Sequence, residues 1–494
     1  MSVEAAIGWI LGVIWSPALV GLCLLAGLYF SVRTRFVQLR RLPDMVRLMF
    51  QSRASAAGVS SFQALSISLS SRVGVGNIAG VAMAIAYGGP GAIFWMWIVA
   101  FFGASSAFIE STLAQIYKQR DAEGLYRGGP AYYIEKGLGQ RWYACLFALS
   151  TVIGAGLFLP GTQSNAIAAS LSHAWEVPAW ASAAGVVMVL ALVIFGGVRR
   201  IAQVAQFVVP FMAVAYLLVA AIAVVFNLQA VPEMFMLIVR SAFGTDAAFG
   251  GMIGAAIMWG VRRGVLSNEA GMGTGAHPAA AAEVSHPVKQ GLVQSFSIYI
   301  DTLVVCSATA FLILVTGAYN VHDPAQAEVA GGGMRMIVAH VPGLEAGPSF
   351  VQHAVESVLP GFGSAFVALA ILPFAFTTLL ALYYISETNV VYLRRNHRSP
   401  LALLLFRLAF LGAVTYSALN TATVAWSLGD IGVGMMAWLN IIALLLMHRP
   451  ALLALRDYEQ QQRAGLDPCF DPERIGIRNA ALWKDIAAAK RMPG

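Results

Sequence analysis

Apolar residues in this chain fall into long continuous runs, not into one-sided helical stripes or strand-like alternation. A run of roughly 20 apolar residues suits a helix that crosses a bilayer. Read this way the chain predicts eleven spans, at roughly 7–30, 60–87, 91–117, 143–171, 179–197, 204–226, 248–282, 289–317, 363–393, 401–419 and 428–447. Two of these runs are interrupted. One carries Ser70-Ser71-Arg72-Val73-Gly74-Val75-Gly76-Asn77-Ile78-Ala79-Gly80 where lipid tails would lie, and the other carries Gly260, Arg262, Arg263, Gly264, Asn268, Gly271 and Gly273. Irregular backbone at membrane depth is tolerated only where protein buries it or where it lines a cavity. Both stretches predict helices broken around something small and polar; the competing reading of the first is close helix packing through small residues, and that of the pair is chance placement among 48 glycines.

Composition narrows the class. Of 494 residues, 59% are hydrophobic and only 11% charged, whereas a soluble domain has about a quarter charged. The mean hydropathy is +0.72. This is the make-up of an all-α polytopic membrane protein. The net charge of +7 sits at the ends of apolar runs, which is a signal of membrane orientation and not of nucleic-acid binding. Basic residues occupy alternate connections: Arg33 to Arg53, Lys118 to Arg141, Arg199-Arg200, Lys289, Arg394-Arg395-Arg398 and the tail from Arg449. The other connections hold Glu176, Glu233, Asp246, Asp323, Glu328, Glu345 and Glu356, with only Arg240 and Arg335. Positive charge stays inside, so the expected topology is N-terminus out and C-terminus in. Glu4 and the long run from Ile7 to Phe30 argue against a signal peptide. The cysteines (Cys23, Cys145, Cys306, Cys469) show no metal-binding spacing.

The interrupted spans each open one of two five-helix units that run in opposite directions, and such a pair points to a transporter binding site. The expected organisation is an extra helix and basic linker (1–59), a first repeat (60–226), an outer connection (227–247), a second repeat (248–447) and a cytoplasmic tail (448–494). The second repeat includes an outer loop, 318–362, whose Gly331-Gly332-Gly333 and prolines suggest a structured loop with a short helix. The stretch Arg33–Arg53 reads either as an amphipathic helix on an anionic leaflet or as a plain linker. The tail shows no catalytic pattern.

In a broken helix the N–H groups that start the second half can hold an anion; Val75, Gly76 and Asn77 are placed to offer them. Carbonyls freed at the other half, here Ser70 and Val73, suit a cation such as Na⁺. The arrangement predicts a zwitterion with a carboxylate, accompanied by a cation. Thr377 and Thr378 could add hydroxyl oxygens or bond back to their own helix. Gln163, Ser164 and Asn165 lie mid-span, facing a ligand or a neighbouring helix. Glu110, Glu269 and Asp301 are intramembrane carboxylates, functional by default, with Arg72, Arg262 and Arg263 available for pairing. The sequence holds no H-E-x-x-H, Walker A, TVGYG or arginine ladder, which argues against a metalloprotease, an ATP-driven pump, a potassium filter or a voltage sensor.

Five stretches carry a family resemblance: VGVGNIAGVAMAIAYGGPGAIFWMW (73–97), RGGPAYYIEKGLG (127–139), GVRRGVLSNEAGMG (260–273), VSHPVKQGLVQ (284–294) and FAFTTLLALYYISETN (374–389). With them the chain resembles the alanine or glycine:cation symporters, which share the inverted-repeat fold of the neurotransmitter:sodium symporters. The resemblance implies eleven helices, no cofactor, and inward movement of a small neutral amino acid with Na⁺ by alternating access across the bacterial cytoplasmic membrane. It implies a substrate pocket of Val75, Gly76, Asn77, Gln163, Gly264, Asn268, Thr378 and Leu382. It implies a sodium site of Ser70, Val73, Phe374, Thr377 and Thr378. The family often has threonine at the position of Val75, an aromatic at that of Leu382 and phenylalanine at that of Pro160. These departures enlarge the expected pocket, and Ser71-Arg72-Val73 resembles the glutamine-carrying branch. Arg72 lies between the two sites, either as fixed charge in place of a second sodium or paired with Glu110, Glu269 or Asp301. A proton-coupled symporter, or a sensor or channel on the same fold, are the alternatives.

Overall fold

A computed structural model describes residues 3–50, 58–121, 124–246, 248–324, 335–395 and 400–491. Among these, eight helices are long and apolar enough to cross a membrane: Ala5–Arg33, Gly91–Ile116, Arg141–Trp175, Arg200–Phe226, Pro287–Thr316, Gly363–Leu393, Leu401–Ala418 and Ala422–Met447. A ninth candidate is the pair Ser61–Arg72 and Gly76–Gly88, bent by 48°. Ala179–Ile194 is apolar but shorter, and Ile253–Asn268 has 16 residues. Large side chains such as Phe207, Phe211 and Leu218 stand exposed on Gly197–Phe226 while Met212 and Tyr216 of the same helix are buried. An apolar exterior of this extent marks a surface made for something other than water.

Gly91–Ile116 is the central element, packed against Pro17–Arg33, Ile253–Asn268 and Pro287–Ile298. Small residues set these distances. A Cβ on Gly260 would lie 2.5 Å from Ala92 O, and one on Gly27 2.9 Å from Phe102 Cβ. The expected first interruption is present but short. The second differs from expectation: Gly260 and Gly264 lie inside the unbroken helix Ile253–Asn268, and the helix ends only at Glu269. The glycines there serve close packing, and the break falls at 269–275, where Glu269, Gly271 and Gly273 take positive φ.

Two short hairpins complete the described fold, Gln119–Arg120 with Tyr126–Arg127 and Asn320–His322 with Met336–Ala339. The outer loop also holds a helix, Pro348–Val358; its glycine triplet and Glu328 lie outside the described residues. The connection 227–247 contains a helix the apolar runs did not mark, Val231–Ala242. The basic linker forms Val37–Arg40 and Leu42–Met49, and Val37, Gln38, Met45 and Leu48 bury themselves against the protein; Arg53 and Arg398 lie outside the described residues.

The tail is docked, not loose. Trp483 is buried and its indole donates to Gln115 O at 2.8 Å. Phe470 lies between the His286 ring and Trp483. Ion pairs join Arg40 to Glu459 (2.6 Å) and Lys289 to Asp467 (2.7 Å). His286 Nδ1 accepts from the Val288 N–H, so Nε2 carries the proton and donates to Asp457 Oδ2 at 3.2 Å. Burial lowers the His286 pKa from its ordinary 6.5, outweighing Asp457; Lys289 and Arg474 push the same way as burial. A lowered histidine pKa means that the undocked chain takes up a proton the docked one refuses, so docking weakens as pH falls through about 6.5. Amide exchange over 457–483, corrected for intrinsic rates, should be faster at about pH 5.5 than at about pH 7.5. His286→Gln should remove the difference; an unchanged pH dependence would contradict this.

Candidate functional site

Ser61–Arg72 starts at a capping box: Ser60 Oγ accepts from the Gln63 N–H, and Gln63 Oε1 from the Ser60 N–H. It stops at Val73 (φ −78, ψ 80). In a continuous helix the Gly74 N–H would reach Ser70 O. Here it bonds Arg72 O at 2.9 Å and Asn77 Oδ1 at 2.8 Å. Ser70 O is thereby freed, and Thr378 Oγ1 meets it at 2.8 Å while lying 2.9 Å from Phe374 O. Thr377 Oγ1 also lies 3.2 Å from Phe374 O, which sits inside a continuous helix, so Ser70 O is the carbonyl that the break leaves with this one hydroxyl donor among the described residues. Gly74 permits the approach, since a Cβ there would collide with Thr378 Oγ1. Thr377 bonds back to its own helix; its hydroxyl lies 2.8 Å from Pro373 O and 3.2 Å from Phe374 O, and it does not reach Ser70 O. Val73 gives its N–H to Leu69 O.

The chain resumes as a π-helix, Gly76–Gly80, a form that recurs at functional sites. The Val75 N–H donates to Gln163 Oε1 at 3.2 Å. Around this contact lies a small cavity of about 10 Å³, room for about one water. Gly74, Gly76, Gln163, Thr378 and Leu382 line it, with Leu159, Thr162, Leu266, Glu269, Trp426, Ser71 and Arg72.

Three of the expected pocket residues sit elsewhere. Asn77 caps the Gly74 N–H with Oδ1 and donates through Nδ2 to Asp301 Oδ1 at 2.6 Å. Asn268 Oδ1 accepts from the Ala270 N–H, and its Nδ2 lies 3.4 Å from Thr302 Oγ1, so it holds the end of its helix. Gly264 faces Gly91–Ile116, and a Cβ there would collide with Val99. Gly264→Ala is expected to cost about 1–3 kcal/mol of stability through overpacking and to leave the substrate KM unchanged. Thermal unfolding beside uptake kinetics checks this; a raised KM at unchanged stability would contradict it.

Asp301 carries more of the site than its sequence setting suggested. It is fully buried in the eight-residue π segment Tyr299–Cys306. Its carboxylate accepts from Asn77 of the first broken helix, from Ser267 Oγ (3.0 Å) beside the second break, and from Thr302 Oγ1 (2.7 Å). Only neutral donors reach it among the described residues. The available signal was the carboxylate itself, deep in an apolar run. At the second break Glu269 Oε2 accepts from Ser71 and Thr274, and Glu110 Oε2 from the Gly273 N–H and Asn440. These carboxylates hold irregular backbone in place.

Arg72 is fully enclosed and forms no ion pair among the described residues. Its Nη1 reaches Ser297 Oγ and lies 3.3 Å from Gln294 Oε1, while Nε and Nη2 lack hydrogen-bond partners. Glu269, Glu110 and Asp301 act on it through space. The direct pairing considered for it is absent. Arg262 and Arg263 instead converge on Asp430 Oδ2, Arg262 at 2.5 Å, between the rings of Trp15, Trp259 and Trp426.

A broken helix with a freed carbonyl, facing a hydroxyl from another helix inside an apolar bundle, is an arrangement that membrane transporters use. Residues 1–472 match the sodium:alanine symporter family, and the chain belongs to that family. It is 57% identical over 472 residues, 96% of each chain, to a putative sodium/proton-dependent alanine carrier of Bacillus subtilis. It is 50% identical to a sodium/proton-dependent alanine carrier of Bacillus sp. strain PS3, over 89% of this chain and 97% of that one. A probable sodium/glutamine symporter of Bacillus subtilis is 42% identical over 94% and 93%. The protein is a symporter and not an enzyme.

Proposed function

We propose that the protein imports alanine or glycine, with glutamine as the runner-up, together with Na⁺ by alternating access. The carrying observation is the pair of adjacent loci at the first break. Gln163 Oε1 accepts the Val75 N–H where a substrate carboxylate could take its place. At the other locus Ser70 O, released by the break, meets Thr378 Oγ1 beside Phe374 O, and three oxygens so placed suit a cation. Gly76, Thr378 and Leu382 shape the pocket, and the small cavity widens on substrate entry. Val73 O joins the sodium shell only after local rearrangement, and Thr377 stays bonded to its own helix, outside that shell. Arg72 supplies fixed positive charge between the loci. Eleven spans follow if the bent pair, Ala179–Ile194 and Ile253–Asn268 with its break each cross the membrane, in two inverted five-helix repeats with the N-terminus outside and the tail inside the cytoplasmic membrane.

Reconstituted uptake of labelled alanine, glycine and glutamine tests this. Alanine or glycine entry should require an inward Na⁺ gradient. Counterflow that favours glutamine would fit the pocket enlarged at Val75, Pro160 and Leu382; preference for glycine would sink the enlargement. Asp301 favours a second reading, proton coupling, because a buried carboxylate met only by neutral donors can carry a proton, and two relatives are named sodium/proton-dependent. Uptake driven by a pH gradient in Na⁺-free buffer and lost in Asp301→Asn would establish that reading instead.

A further inference from the structure

We propose that the pocket where the end of Pro17–Arg33 meets the tail helix Arg449–Arg463 holds the headgroup of an anionic phospholipid. The pocket encloses about 200 Å³, and its lining brings together Arg33, Arg35, Arg40, Arg456 and Arg463 with one carboxylate, Glu459. That carboxylate is already engaged by Arg40 (2.6 Å) and Arg41 (3.5 Å). Arg40 is spent on it and on Thr34 O at 3.2 Å. No acidic partner is present for Arg33, Arg35, Arg456 or Arg463 among the described residues. Four exposed arginines thus line one cavity without a carboxylate of their own, Arg33 with its guanidinium 5.9 Å over the Tyr29 ring. A phosphodiester supplies the missing acceptor oxygens, and the arginine fork suits them.

Charge alone would suit any phosphate; the apolar wall selects a lipid. The helix leading down to the pocket exposes Leu25, Leu28, Tyr29 and Val32, with Leu25 67% and Val32 57% exposed. Phe36 and Leu39 continue the apolar surface on the far side of Arg33 and Arg35. Acyl chains can lie along this face while the headgroup enters the arginine pocket, the arrangement by which basic pockets beside transmembrane helices take anionic headgroups. Basic residues that only set orientation need not converge. Here the linker and a tail helix distant in sequence build one cavity.

The test is thermal unfolding of the full chain in detergent, titrated with short-chain phosphatidylglycerol, short-chain phosphatidylcholine or inorganic phosphate. Phosphatidylglycerol should raise the Tm saturably, and the other two should not. Each arginine at an anionic headgroup contributes about fivefold in binding, so Arg456→Gln with Arg463→Gln should shift the titration midpoint by about 25-fold. Arg33→Gln with Arg35→Gln should do the same if the tail pair fails to fold, while Arg478→Gln, exposed on the tail outside the pocket, should titrate like the parent. Equal response to phosphatidylcholine, an equal response to inorganic phosphate, or an unshifted midpoint in both double variants would overturn the proposal.

Discussion

Asp430→Ala is expected to destabilise the protein by about 3–5 kcal/mol, the cost of removing one partner from a buried ionic group. Two guanidinium groups share this carboxylate, and both are held among tryptophan faces. Cation–π contact is worth about 0.5–2 kcal/mol, too little to replace a counter-ion for two buried charges. The loss should be visible as a lower Tm in detergent and as reduced folded yield. Adding Arg263→Met to Asp430→Ala should recover part of it, because the variant then leaves one unpaired charge where there were two. If Asp430→Ala unfolds like its parent, the rings and not the carboxylate hold the two arginines.

The runs of apolar residues made most of the span positions legible, because a membrane helix announces itself by length and composition. Gly363–Leu393 falls at the positions read from the sequence. The first break was legible too, since Arg72, Gly74 and Asn77 within one apolar run are costly unless backbone there is irregular. The second was misplaced because glycine has two uses in a membrane. Gly260 and Gly264 bring helices together, while Gly271 and Gly273 supply positive φ, and a sequence does not say which is which. The partners of Arg72 and Asp430 depend on tertiary approach, so Arg262 and Arg263 could be named as buried charges without their acceptor. The docked tail was hidden for another reason: Phe470 stands alone beside Asp471, and Leu482 and Trp483 make too short an apolar stretch to announce a docked helix.

The proposed sodium site turns on Thr378, because the break frees Ser70 O and, of the two threonines, Thr378 and not Thr377 brings its hydroxyl to it. A lost contact to a charged group is worth about 1.5–3 kcal/mol, or roughly 10–100-fold. The most direct test is the Na⁺ dependence of alanine uptake at saturating alanine in proteoliposomes carrying the parent, Thr377→Val or Thr378→Val. Thr378→Val should raise the half-saturating Na⁺ concentration by at least about tenfold, and Thr377→Val should leave it within about twofold of the parent. Equal effects of the two substitutions, or parental Na⁺ dependence in Thr378→Val, would contradict a sodium site at the first break.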